Sequence, residues 1–428
     1  MLLGLLFMCV AVCDASQNFS IPNVVASFSS TPKPFKINVD PQFIEDTRRR
    51  VKATRAPVSI GEEDDGPSLA NFTAIRDYWV NEYNWEKTQD SINQRLKQFT
   101  TVVEITDKNT TIPVPLHFVH HTSPRDDAIP LLFLHGFPGS FLEVINIIDS
   151  LTSPPNASLP AFHVVAPSLP GFGFSPAPQH AGVGPVKSAQ AFNALMQKLG
   201  YPQYVMQGGD FGGMILRYQA NMFPKNVITA HSNFWVMMPS EYDIQNLIVG
   251  ATSEEETAFI TTCEAFVNND NGFRMIQQSK PIQAAYALTD SPMGNCLWLY
   301  TLMQLIIDPR DFTWSLDEII TWSLMYYIQG PYGGMRMYKE MLNDGAFIGV
   351  DFADLPIVSQ PVAISQFPYD ALGYGLPLEW ARRGGNVVKR YVHDHGGHFA
   401  AYEVPDLLLP DIWSWFGDKN TSGTSFFD

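Results

Sequence analysis

The chain has 428 residues and 45% hydrophobic content, which suits a large α/β domain with attached pieces and a sizeable core rather than one minimal domain. Its 43 acidic against 27 basic side chains give a net charge of -16, which argues against nucleic acid and anionic lipid surfaces as partners. Charge alone says nothing about fold.

At the N-terminus, Leu2 to Cys13 form an uninterrupted apolar run, followed by Asp14, Ala15 and Ser16. The run falls short of the roughly 20 residues needed to cross a bilayer, so residues 1–16 read as a secretory signal peptide rather than an anchor, although Lys and Arg are missing from its leading end. Five Asn-x-Ser/Thr sequons follow, at Asn18, Asn71, Asn109, Asn156 and Asn420. Beside a signal sequence they predict secretion or residence in the secretory lumen, with N-glycans attached. Removing the signal takes Cys9 and Cys13 with it and leaves Cys263 and Cys296, which fit one disulfide or two buried thiols equally well.

Residues 17–128 read as an N-terminal cover that packs on the core. Pro34 to Asp40 precede a charged helical stretch, Phe43 to Thr54. A second helix is predicted over Ala74 to Trp85, where Ile75, Tyr78, Trp79 and Tyr83 recur at helical spacing. Gln98 to Ile105 and Val114 to Val119 then look like two strands of a hairpin.

The predicted core begins at residue 129. Ile129 to Leu134 is a fully apolar strand of the kind buried on both faces of a parallel sheet, and it ends in His135-Gly136-Phe137-Pro138-Gly139-Ser140. Such a loop aims a backbone N–H, that of Phe137, at a site on the carboxyl end of the sheet, with His135 and Pro138 placed to line a pocket. Phe162 to Pro167 and Val227 to His231 are further strands, with helical patterns such as Ala189 to Leu199 between them. This alternation predicts an α/β fold with a doubly wound, mostly parallel sheet.

Between those strands lies the central motif. Tyr204-Val205-Met206 reads as a strand, Gln207-Gly208-Gly209-Asp210-Phe211-Gly212-Gly213 as a sharp turn, and Met214 to Tyr218 as a helix. Glycines on both sides of one functional residue are what a nucleophile elbow requires, because a Cβ at the flanking positions would collide. The residue at the apex is Asp210. A carboxylate is ionised without help and attacks carbon by displacement, forming an ester. Phe211 contributes a second backbone N–H beside that of Phe137.

From residue 238 to 357 the chain turns helical and reads as a lid, rich in Met and aromatic side chains suited to lining an apolar pocket. The core resumes over residues 358–428, with strands predicted at Val362 to Phe367 and Asn386 to Val392. Asp370 follows the first of these. His393, His395 and His398 follow the second, and His398 in its glycine-flanked loop is the better reading as a catalytic base than any metal site. Nucleophile, acid, then base is the chain order of an α/β-hydrolase triad.

With Asp210, Asp370 and His398 in that order, the chain resembles the microsomal-type epoxide hydrolases over almost all of its mature length. The motifs that carry this are Pro34-Phe35-Lys36-Ile37, Tyr78-Trp79 with Glu82-Tyr83 and Trp85, His135 to Phe141, Gln207 to Asp210, Ile276 to Pro281 with Asp290-Ser291-Pro292, Phe367 to Asp370, and Gly396 to Ala401. The resemblance implies that Asp210 opens an oxirane to a covalent ester, which water activated by His398 and Asp370 hydrolyses to a diol. It implies a small apolar epoxide as the partner, no cofactor, no metal and no membrane span; the oligomeric state stays open, a homodimer included. Lid tyrosines are implied as hydrogen-bond donors to the oxirane oxygen, and one of them matches Tyr338. Where the other belongs this sequence has Phe273, so Tyr338 acts alone, another lid tyrosine such as Tyr286 or Tyr300 substitutes, or the substrate is itself reactive. Three alternatives stand beside hydrolysis: an epoxide-opening cyclase or isomerase, a dehalogenase disfavoured because Phe211 has no indole N–H for a halide, and a binding protein with a dead site.

Overall fold

The computed structural model describes residues 19–61, 65–348, 351–352, 355–370 and 372–428; the predicted signal peptide and the Asn18 sequon lie outside them. Nine strands form one sheet: β1 (Lys33–Phe35), β2 (Gln98–Asp107), β3 (Thr110–His121), β4 (Ile129–Leu134), β5 (Phe162–Pro167), β6 (Tyr204–Gly208), β7 (Val227–Ser232), β8 (Val358–Gln366) and β9 (Gly385–Val392). Their spatial order is β1-β2-β3-β5-β4-β6-β7-β8-β9. The β1-β2, β2-β3 and β3-β5 pairings are antiparallel, and every pairing from β5 to β9 is parallel. Leu131, Leu132, Val205 and Met206 in the central strands are fully buried, as strands covered on both faces must be. The β2-β3 hairpin is longer than the sequence predicts and turns at Lys108 and Asn109, both at positive φ.

The N-terminal cover holds α1 (Pro41–Ala53), α2 (Leu69–Asn81) and α3 (Trp85–Arg95). The single helix expected to end at Trp85 is two. Asn84 accepts a hydrogen bond from the Lys87 N–H and caps a new helix, so Trp85 opens α3 instead of closing α2. In the core, α4 (Pro185–Lys198) and α5 (Phe211–Met222) pack against each other and beside the sheet, and α5 starts directly after Asp210.

Between β7 and β8 the chain leaves the sheet for seven helices: α6 (Glu241–Ile248), α7 (Glu254–Asn269), α8 (Gly272–Ser279), α9 (Pro281–Asp290), α10 (Pro292–Leu305), α11 (Leu316–Tyr327) and α12 (Tyr332–Asn343). Capping boxes start α6, α7 and α11 at Ser240, Ser253 and Ser315. Pro281 and Pro292 sit at the first turn of α9 and α10, where a missing N–H costs nothing, and so break the path into short segments. A short antiparallel hairpin, Phe347–Ile348 with Asp351–Phe352, returns the chain towards β8, and α13 (Pro405–Gly417) closes the fold.

Cys263 and Cys296 are both free and buried, so the disulfide alternative is not what the fold adopts. Among the sequons, Asn109, Asn156 and Asn420 are exposed. Asn71 is half-buried in the first turn of α2, and its Nδ2, the nitrogen a glycan would occupy, already donates to Tyr300 Oη at 2.9 Å. No helix among the described residues is long and apolar enough to cross a membrane.

Candidate active site

β6 runs through Gly208 and Gly209 into Asp210, whose φ of 49° and ψ of -126° put a non-glycine residue in the left-handed region. Such a conformation costs roughly 1–3 kcal/mol and persists where the surroundings enforce it. Two glycines supply the room. A Cβ on Gly212 would lie 2.3 Å from the Leu134 carbonyl oxygen, and one on Gly136 would lie 2.1 Å from Asp210 Oδ1. The elbow therefore packs directly against the end of β4 and the loop that follows it. From that loop the Phe137 N–H donates to Asp210 Oδ1 at 2.7 Å, and the Phe211 N–H reinforces it.

The other carboxylate oxygen faces the histidine. Asp210 Oδ2 is 3.6 Å from His398 Nε2, and His398 Nδ1 is 3.2 Å from Asp370 Oδ1. Asp370 comes from the loop after β8 and His398 from the loop after β9, so three strand ends converge at the carboxyl edge of the sheet. Burial pushes the Asp210 carboxyl above its ordinary range, restrained by His398 and the two N–H donors. Burial also pulls His398 down, but Asp370, Asp210 and Glu143 outweigh it and raise the imidazole to about 9. The imidazole facing Asp210 is thus held protonated at neutral pH.

Above the pair lies a cavity holding about 600 Å³ of atom-free space, its open mouth included. Phe137, Pro138, Phe211 and Phe234 line it from the core, and Phe266, Phe273, Arg274, Leu302, Ile306 and Tyr338 from the lid. Tyr338 on α12 is 4% exposed and packs edge-on against Phe137, Phe211 and Phe273 at 5.4, 4.7 and 5.8 Å between ring centroids. Burial first, and the Asp210 charge second, hold its phenol far above the ordinary value, so it stays protonated and able to donate. Phe273 on α8 faces it and stacks on Phe137 at 6.2 Å. A hydrocarbon ring therefore lies where the resemblance implies a second donor.

Three assignments change. His135 does not line the cavity: its Nε2 accepts the Leu169 N–H at 3.2 Å and burial lowers it to about 4, which makes it a neutral support beneath the loop. Tyr286 is 75% exposed, and Tyr300 Oη accepts from Asn71, so neither is placed to replace Phe273 as a donor. The three histidines near the C-terminus go to three different carboxylates, His393 to Asp411, His395 to Asp394 and His398 to Asp370.

Sequence reasoning missed four ionisable residues around the site. Glu143, three residues after Ser140, is buried and pushed up to about 8, so it is neutral at neutral pH. Glu403 is buried and raised to about 7; its two oxygens accept the Phe399 and Asp308 N–H groups at 2.9 and 3.2 Å. Asp308, from the lid, accepts the Gly396 N–H at 3.0 Å, while the carbonyl of Ile306 accepts the His398 N–H at 2.8 Å. The lid thereby grips the backbone of the histidine loop. The fourth is Arg274, whose only signal in the sequence is its position beside Phe273.

Two family models match the chain, an epoxide hydrolase N terminus over residues 32–144 and the alpha/beta hydrolase fold over residues 129–249. A putative epoxide hydrolase of Stigmatella aurantiaca is 32% identical, covering 90% of this chain and 84% of its own. Epoxide hydrolase 1 of Sus scrofa is 30% identical, covering 90% and 88%. Among solved structures, juvenile hormone epoxide hydrolase from the silkworm Bombyx mori superposes with a TM-score of 0.73 at 28% identity, covering 91% of this chain and 94% of that one. The Aspergillus niger epoxide hydrolase reaches a TM-score of 0.75 at 24% identity, covering 94% and 99%, and supports the fold. On the strength of these relationships across nine-tenths of its length, the chain belongs to the microsomal-type epoxide hydrolase family of the α/β-hydrolase fold.

Proposed function

We propose that the protein is an epoxide hydrolase that works through an ester on Asp210. The observation that carries this is the division of labour between the two carboxylate oxygens, Oδ1 on the Phe137 N–H and Oδ2 3.6 Å from His398 under an apolar cavity. Oδ2 attacks an oxirane carbon, the C–O bond breaks, and the departing oxygen takes the proton of Tyr338. The ester removes the negative charge of Asp210, one of the charges that hold the proton on His398. His398 then gives up that proton more readily; it returns through solvent to the Tyr338 phenolate, and the neutral imidazole serves as base towards water. Water attacks the ester carbonyl, the Phe137 and Phe211 N–H groups hold the oxyanion, and Asp370 stabilises the imidazolium that forms. On collapse the C–O bond to the diol breaks, the leaving oxygen takes the proton from His398, and the re-formed Asp210 carboxyl returns its own proton to His398, which releases a vicinal diol and restores the starting pair.

The test is product analysis with a small apolar epoxide. Diol from the native protein and none from Asp210→Ala supports the reading; a cyclised or isomerised product would replace it by the epoxide-opening alternative.

We also infer passage through the secretory pathway, supported by the apolar run at Leu2 to Cys13 and the exposed sequons at Asn109, Asn156 and Asn420. N-terminal sequencing and glycosidase treatment of the native protein test it. A chain that retains Met1 and carries no glycan contradicts it.

A further inference from the structure

Strand order places β7 between β6, which ends at the nucleophile, and β8, which leads to Asp370, with β9 and His398 beyond. β7 contributes no member of the triad. Asn233, which follows Ser232 at its end, is buried and joins the loops on either side. Its Oδ1 accepts from Gln207 Nε2 at 2.7 Å, and its Nδ2 donates to the His398 carbonyl at 3.3 Å. A carbonyl only accepts, so Nδ2 must face His398 and Oδ1 must face Gln207, which leaves the amide a single orientation. Gly209 makes the room: a Cβ there would lie 2.8 Å from Nδ2 and 2.9 Å from Oδ1. The next residue, Phe234, packs edge-on against the imidazole at 5.6 Å between ring centroids. The His398 peptide is thus held on both sides, its N–H by the Ile306 carbonyl of the lid and its own carbonyl by Asn233 of the core. The elbow has other supports. The Gly209 N–H donates to the Leu134 carbonyl at 3.3 Å, the Gly213 N–H to the Gly209 carbonyl at 3.1 Å, and the Phe137 N–H holds Asp210.

We propose that Asn233 is a positioning residue for the second half of the reaction, fixing how far the His398 imidazole stands from the Asp210 ester. This rests on the epoxide-hydrolase reading and adds a residue to it. A general base must lie within hydrogen-bond reach, directly or through one water, of the proton it takes. Misplacement by about 1 Å costs on the order of 100-fold. Ring opening by the Asp210 carboxylate uses no base, so a displaced histidine loop leaves that step nearly as fast.

The experiment follows a single turnover of styrene oxide or cyclohexene oxide by native protein, Asn233→Leu and Asn233→Ala. Rapid quenching and intact mass read the rise of the Asp210 ester and its decay separately. Leucine keeps the volume and drops both hydrogen bonds; alanine drops them without adding bulk beside Gly209. Ester decay should slow by roughly 10- to 100-fold while ester formation stays within about 3-fold of native, so the ester accumulates. A residue that only supports the fold would lower Tm and depress both steps together. Equal slowing of both steps, unchanged decay in a folded variant, or failure of both variants to fold overturns the positioning role and leaves the hydrolase reading intact. No ester and no diol from the native protein with either epoxide overturns both.

Discussion

Asp210 and His398 face each other across 3.6 Å from Oδ2 to Nε2, while Oδ1 of the same carboxylate is already engaged by the Phe137 N–H at 2.7 Å. On the proposed mechanism, the donor that holds the nucleophile in place for the first step is therefore the one that holds the oxyanion in the second. Alkylation needs no base; hydrolysis of the ester does.

The first prediction follows from that asymmetry. His398→Gln should still be alkylated but hydrolyse its ester roughly 100- to 10,000-fold more slowly. Intact mass spectrometry after mixing with a turned-over epoxide should show the protein heavier by one epoxide. A variant that shows no added mass under these conditions contradicts the covalent route.

Tyr338 is placed to be the proton donor, and Phe273 cannot share the task. Tyr338→Phe should lower kcat by roughly 100- to 1,000-fold, the usual effect of removing a donor aimed at developing charge. Phe273→Tyr restores a second phenol beside it and should raise turnover of simple epoxides by up to about 10-fold. Retention of most activity by Tyr338→Phe on every substrate would place the donor elsewhere.

Stability should fall as pH rises from neutral towards 9.5. His398 is raised to about 9 in the fold, above the 6.5 of the free side chain, so its contribution is complete below 6.5 and is lost as pH climbs through 9. Glu143, raised to about 8 from 4.5, acts in the same direction, because the folded state keeps a proton that the unfolded chain releases. Glu143→Gln keeps the shape without the titration. Its Tm should decline less steeply than that of the native protein between about pH 5 and 8; parallel curves would show that Glu143 is not protonated in the fold.

Asp308 ties the lid to the histidine loop through Gly396 and is itself held by Arg310. Asp308→Ala should destabilise the fold by about 3 kcal/mol, since it strands a buried N–H and breaks a charged pair. Thermal unfolding measures this. The same variant should lower kcat more than it raises KM if the loop position governs the base, whereas a purely structural role would change Tm alone.

Much of the fold was legible because its signals are local and repeated. The apolar runs of β4 and β6 can only be buried strands, and Gly208, Gly209, Gly212 and Gly213 around Asp210 admit few backbones other than an elbow. Asp370 and His398 were legible from chain order, and the structure places His398 beside Asp210 with Asp370 on its other nitrogen. α3 was not legible, because its buried residues are just Trp85 and Ile92 and the spacing of seven is too sparse to mark a face. Single charged residues such as Arg274, Glu143 and Glu403 carry no pattern at all. Their significance comes from burial, which only the tertiary fold determines. His135 misled for the converse reason: a motif fixes where the loop goes, but the Leu169 N–H decides where its imidazole points.

The most direct measurement of the central claim is a single turnover in water enriched in oxygen-18, with enzyme in excess over epoxide. If Asp210 is the nucleophile, the hydroxyl added to the diol comes from its carboxylate, so the diol carries no label and the peptide containing Asp210 gains it. Label in the diol with none in that peptide would mean that water attacks the epoxide directly, and the covalent mechanism would be wrong.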